Sequence, residues 1–203
     1  MKIFEYQTIA ALSRGNYKEK GSKFPAFAYP AETEEDIKTI LETLKKQYHD
    51  ATHHCFAYVL KPDKSLYRAN DAGEPANSAG TPILKQIQSR NLTNILVVVI
   101  RYFGGTKLGV GGLINAYRNA AEAALDNARI ITQQILQTFR IAFSYENLNK
   151  IMRILQSDDI KLNRQQYGEN CSISFTCPSK LTEKVLNELH KISGVEIIII
   201  SLT

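Results

Sequence analysis

Ile95-Leu96-Val97-Val98-Val99-Ile100-Arg101-Tyr102-Phe103-Gly104-Gly105-Thr106-Lys107-Leu108-Gly109-Val110-Gly111-Gly112 is the stretch on which the fold of this chain turns. Its first six residues are aliphatic, mostly β-branched, and have no polar side. That pattern predicts a short strand buried on both faces, central in its sheet. Five of the eleven glycines then fall between Gly104 and Gly112. Glycine costs backbone entropy and contributes no packing, so such a density points to positive φ or to a backbone approached closely by another group. A helix is predicted from about 112 to 129. It carries Ile114, Tyr117, Ala121, Ala124, Leu125 and Ala128 on one side, and Asn115, Arg118, Glu122, Asp126 and Arg129 on the other.

Outward from this unit the chain alternates strands and helices. Residues 2–12 and 22–29 read as strands, with Ser13-Arg14-Gly15-Asn16 as turn chemistry between them. A helix is predicted over 34–48, with Thr33 as N-cap, Asp36 near the third helical position and Ile37, Ile40, Leu41 and Leu44 as its apolar stripe. Residues 54–60 form a strand covered on both faces, and 65–69 pair back onto it across Lys61-Pro62-Asp63-Lys64. A polar loop, 70–80, leads into a short helix from Pro82, a favourable first-turn position for proline.

Beyond Arg129 the texture changes. A strand over 134–144, a helix over 146–157, strands near 159–167 and 171–177, a helix near 180–192 and a last strand over 195–200 give the order βαββαβ. The expected domains are 1–132 and 133–203, in an α+β chain.

Composition limits the functional classes. The chain has 203 residues and a net charge of +5. No apolar run approaches the roughly 20 residues that span a bilayer. The N-terminus lacks a signal-type apolar core, and three cysteines without metal-type spacing fit a reducing compartment. We therefore expect a cytoplasmic protein with no membrane association, and a monomer. No acidic residue occurs between Glu74 and Glu122, whereas Lys85, Arg90, Arg101, Lys107 and Arg118 fall in that interval. An acid-free interval containing the glycine turn favours an anionic partner.

The glycine turn fails two familiar phosphate patterns. A P-loop requires Lys-Ser/Thr after its last glycine, but Val110 follows Gly109; the dinucleotide fingerprint breaks because Ile114 stands where its last glycine should be. A strand end followed by a helix N-terminus with free amides remains, suited to phosphate, carboxylate or a nucleic-acid backbone. The anion-binding candidates are Arg101, Tyr102, Gly104, Gly105, Lys107, Gly109, Gly111, Gly112 and Arg118, with Tyr102 available to stack on a base. His53, His54, Asp71 and Glu74 are supporting candidates. Adjacent strand positions point His53 and His54 to opposite faces, which argues against a shared metal ion. Cys55 has no evident base beside it, and Cys171 and Cys177 read as buried apolar residues. No catalytic residue, metal or cofactor is assigned.

Three blocks together resemble the YigZ/IMPACT family. They are Ala51-Thr52-His53-His54-Cys55; Asp71-Ala72-Gly73-Glu74-Pro75 with Ala79-Gly80-Thr81-Pro82-Ile83-Leu84; and Arg101–Gly105 with Leu108–Leu113 and Ala116-Tyr117. The resemblance implies an N-terminal domain of the type shared by domain IV of elongation factor G and a small-subunit ribosomal protein. That fold contains a left-handed βαβ crossover, against the usual rule. It also implies a ferredoxin-like C-terminal domain. Eukaryotic relatives regulate translation through the pathway that senses amino-acid starvation. The implied partners are RNA or the ribosome, or a translation-related protein. The alternative is a small-molecule enzyme holding a phosphorylated or carboxylate ligand at the same loop. The acidic loop departs from the family pattern: Ala72 replaces a second acid and Asn77-Ser78 replace Gly-Thr. That weakens any role needing adjacent carboxylates, and leaves Asp71 and Glu74 as partners for Arg101 or Lys107.

Overall fold

A computed structural model describes residues 2–168 and 170–202 of the chain. Two units emerge, Tyr6–Gln133 and a second comprising the residues up to Glu5 together with those from Gln134 onward. The sequence had placed the first residues in the N-terminal domain. Instead the Phe4 carbonyl accepts from Ile135 N–H at 2.8 Å, within the second unit. No helix among the described residues is long and apolar enough to cross a membrane.

The first unit is built on a five-stranded sheet. Its strands are β2 (Ser13–Glu19), β3 (Ser22–Pro30), β4 (His53–Leu60), β5 (Leu66–Asn70) and β6 (Ile95–Arg101), in the order β2-β3-β6-β4-β5. The aliphatic run is therefore the central strand, antiparallel to β3 and β4 on either side. Period-2 alternation divides its side chains between two cores. Leu96, Val98 and Ile100 pack with Ile37 and Leu44 of α1 (Glu34–Gln47). Ile95, Val97 and Val99 pack with α2 (Gly80–Ser89) and α3 (Gly109–Asp126). Thr33 and Asp36 form the capping box that starts α1, as their spacing predicts. A further pair, β1 (Glu5–Ile9) and β7 (Ile130–Gln134), forms a two-stranded sheet.

Two expectations change. Ser13–Asn16 is not a turn but the start of β2, and the hairpin turns at Lys20-Gly21. There both φ angles are positive (46° and 82°), the primed geometry that matches strand twist. Gly15 belongs to the strand because a Cβ there would lie 2.3 Å from the backbone of Ala124 in α3. Close strand–helix approach, rather than turn chemistry, explains this glycine. The second change is at α3, which begins at Gly109, three residues earlier than the periodicity indicated. Burial of Leu113, Ala116 and Tyr117 on the sheet carries the helix through glycines of low propensity.

The second unit runs β8 (Leu136–Ser144), a 3-10 turn (Tyr145–Asn147), α4 (Leu148–Leu155), β9 (Lys161–Gln166), β10 (Asn170–Pro178), α5 (Ser179–His190) and β11 (Glu196–Leu202). This is the βαββαβ succession read from the sequence. Its sheet is antiparallel with order β11-β8-β10-β9. One face is apolar: Phe139, Ile141 and Phe143 lie beside Cys171, Ile173 and Phe175, and are covered by Ile151 and Leu155 of α4 and Val185 and Leu189 of α5.

Candidate functional site

β6 ends at the residue that organises the site. Arg101 continues the alternation of Val97 and Val99, so its side chain falls on the side of α3 and is almost wholly buried. Nη1 donates to Glu74 Oε1 at 2.7 Å, and the two side chains are 8% and 4% exposed. Tyr117 Oη, from α3, donates to the same oxygen at 2.8 Å. The guanidinium lies between the rings of Phe24 and Phe103, 5.7 and 5.6 Å from their centroids. Arg101 Nε is buried and has no acceptor.

The loop between β5 and α2 is folded around Asp71. One carboxylate oxygen accepts from Ala79 and Gly80 N–H at 2.9 and 2.8 Å, which satisfies the start of α2, and the other accepts from Asn77 N–H at 2.8 Å. Of the two acids expected to serve Arg101 or Lys107, Glu74 does so and Asp71 is engaged by backbone instead. His53 Nδ1 is 2.9 Å from the Ala72 carbonyl, which only accepts, so Nδ1 carries the hydrogen. Nε2 then faces Glu74 Oε1 at 3.9 Å.

His54 points to the other face, toward α1, as the strand period requires. Its Nε2 is buried without a partner, and burial, with Lys45 nearby, holds its pKa below the ordinary histidine value. Cys55 Sγ donates to the Asp71 carbonyl at 3.0 Å, and burial pushes the thiol up to about 12. Burial also raises the Tyr117 phenol, with the neighbouring Cys55 adding to the effect. Thiol and phenol stay protonated, so both act here as donors and not as nucleophiles. Among the described residues, no three His, Cys, Asp or Glu side chains are grouped to hold a metal ion.

The glycine turn separates into parts with different causes. Gly104 is required by packing: a Cβ would lie 1.9 Å from the backbone of Gly21, and its N–H donates to Ser22 Oγ at 3.1 Å. Gly109 has φ +71° with open space beside it, and opens α3. No side chain caps that helix start, and no acid lies in its first turn. Lys107 and Arg118 are exposed, and Arg118 Nη1 donates to Asn115 Oδ1 at 3.2 Å.

Two expected roles do not fit. Arg101 offers no unpaired charge to a phosphate, because Glu74 already matches it, and only its Nε lacks a partner. Tyr102 is no open stacking platform: it packs beside the α1-side core and donates to Asp50 Oδ1 at 2.9 Å. Phe103, half exposed, is the ring that faces outward. Nor does the acid-free interval stay acid-free in space, since Glu74 and Asp126 pair with Arg101 and Arg90. Tyr117 was read only as a core residue. Its place in the third family block, and its size on an otherwise alanine-rich helix face, are the sequence signals that set it apart.

The family model for the Impact N-terminal domain matches residues 20–125, which contain this whole site. The chain belongs to the IMPACT family. It is 32% identical to IMPACT family member YvyE of Bacillus subtilis over 89% of this chain and 83% of that one. Identity to IMPACT family member YigZ of Escherichia coli is 33%, over 73% of this chain and 74% of the relative. A crystal structure described as a hypothetical protein superposes with a TM-score of 0.74 at 27% identity, covering 98% of this chain and 99% of that one. The IMPACT match thus extends over the mixed α/β architecture of both units.

Proposed function

We propose that this IMPACT-family chain takes part in regulating translation and does so by binding an RNA backbone at the glycine turn that opens α3. Family membership supports the first half, since eukaryotic members are the relatives identified with translation control. The second half rests on one observation: an 18-residue helix begins without a capping side chain or first-turn acid, next to exposed Lys107. Such a terminus presents N–H groups and a partial positive charge to phosphate oxygens. Arg118 adds one exposed cation farther along α3, on the face it shares with Gly111, Asn115 and Glu122. In this arrangement Arg101 shapes the turn from below and does not touch the polymer.

The test is RNA binding as a function of salt. Affinity for a single-stranded RNA is expected to fall with salt at a log–log slope of about −0.7 per neutralised phosphate. The Lys107→Ala/Arg118→Ala protein should bind more weakly with a shallower slope. Unchanged affinity and slope in that double variant would remove the proposal.

A further inference from the structure

The end of the sheet that carries Arg101 opens onto a cleft of about 390 Å3, contained within the first unit. An RNA backbone at the turn would use the rim of this cleft and leave its apolar wall uncovered. Its size lies at the low end of small-molecule pockets, roughly 300–1,000 Å3. Three features that favour an anion converge on it. The first is the uncapped N-terminus of α3, with Gly109 and Val110 in the wall. The second is Lys107, exposed at the rim. The third is Arg101, more than nine-tenths buried, which lines the cleft while its Nε finds no acceptor. Native structures seldom leave a buried donor unpaired, and an acceptor arriving from outside would satisfy it.

Charge balance sets the sign of the ligand. Glu74 neutralises Arg101, so the helix terminus and Lys107 remain as net positive potential. Thr52, His53 and the paired Glu74 also line the cleft, and the remaining wall is apolar: Val110 and Phe103 are 54% and 50% exposed, with Leu108, Leu113 and Pro75 beside them. Large apolar groups left open beside an anion-seeking helix end are not needed for a phosphate backbone. They suit a ligand with two ends.

We propose that this cleft binds a small amphipathic anion, its oxyanion between the α3 N-terminus, Lys107 and Arg101, and its apolar or aromatic body against Val110 and Phe103. The carboxylate of an organic acid and the phosphate of a phosphomonoester share this chemistry. The site shares the α3 N-terminus and Lys107 with the proposed RNA contact and to that extent rests on that reading; Arg118, outside the cleft, separates the two.

Titration of the full chain with phenyl phosphate, benzoate and inorganic phosphate, followed by amide NMR shifts, tests the proposal. At least one aromatic anion is expected to shift the amides of Gly109–Gly112 and to bind at least tenfold tighter than inorganic phosphate. Whichever of the two binds tighter names the headgroup. Val110→Glu places a carboxylate at the same helix end and removes part of the apolar wall. An exposed acid in a first helical turn favours the fold, so this variant is expected to fold and to lose at least tenfold in affinity. Arg118→Ala should bind the aromatic anion like the parent. No shift with either aromatic anion, shifts confined to other residues, equal affinity for inorganic phosphate, or parental binding by Val110→Glu would each overturn the assignment.

Discussion

Arg101 and Glu74, 27 positions apart in sequence, form a 2.7 Å ion pair in which neither side chain is more than 8% exposed. Removing one partner of a buried pair strands the other charge and typically costs about 3–5 kcal/mol. Glu74→Ala and Arg101→Ala should each destabilise the chain on that scale, measured by urea unfolding. The double variant should lose clearly less than the two losses combined. Single losses under about 1 kcal/mol would mean that solvent reaches the pair.

The glycines of the turn make separable predictions. Gly104→Ala forces a methyl into the Gly21 backbone and should cost at least the roughly 1–3 kcal/mol of an overpacked core. Gly111 is helical with open space where a Cβ would stand. Gly111→Ala should therefore raise stability by up to about 1 kcal/mol. If it also weakens anion binding, that glycine serves a ligand and not the fold.

The cysteines should be inert in the native protein. All three are free and buried, and the Cys55 thiol is pushed up to about 12. Ellman's reagent at pH 8 should label none of them quickly before unfolding, and all three in guanidinium. Rapid labelling of Cys55 in the native state would contradict the packing around Asp71 and Tyr117.

Stability should decline in mild acid through His54. Its folded pKa lies below the ordinary histidine value of about 6.5, chiefly because burial disfavours the charged ring. The unfolded chain then binds the proton more readily, so stability is full above about pH 6.5 and is lost as pH falls toward the folded pKa. The urea midpoint should be lower at pH 5.5 than at pH 7.5. His54→Leu should flatten that dependence, and an unaltered slope in this variant would assign the effect to other groups.

Residues 6–133 are expected to fold alone. This segment has its own sheet with a core on each face. A fragment of that length should unfold cooperatively and retain the slow amide exchange of β6. A fragment without a cooperative transition would show that the first unit depends on the rest of the chain.

Local patterns carried much of the architecture. The unbroken aliphatic run over 95–100 determined a central strand, because only a strand covered on both faces tolerates it. The Thr33–Asp36 spacing determined where α1 begins, and the alternation after Arg129 led to the βαββαβ order. Gly15 misled, since a glycine freed by close helix packing looks the same in sequence as one that serves a turn.

The glycine turn was conspicuous in sequence, and so was the positive interval around it. Only the tertiary structure decided which of its charges are free. Folding brings Glu74 onto Arg101 and Asp126 onto Arg90, pairings across 27 and 36 positions that no local pattern encodes. It also ties the Tyr102 hydroxyl to Asp50, leaves Phe103 half exposed and places Tyr117 on the same carboxylate as Arg101. Periodicity reports which face a side chain takes, because that depends on the backbone repeat. Which group it meets there depends on how distant segments pack, and that appears only once the chain has closed on itself.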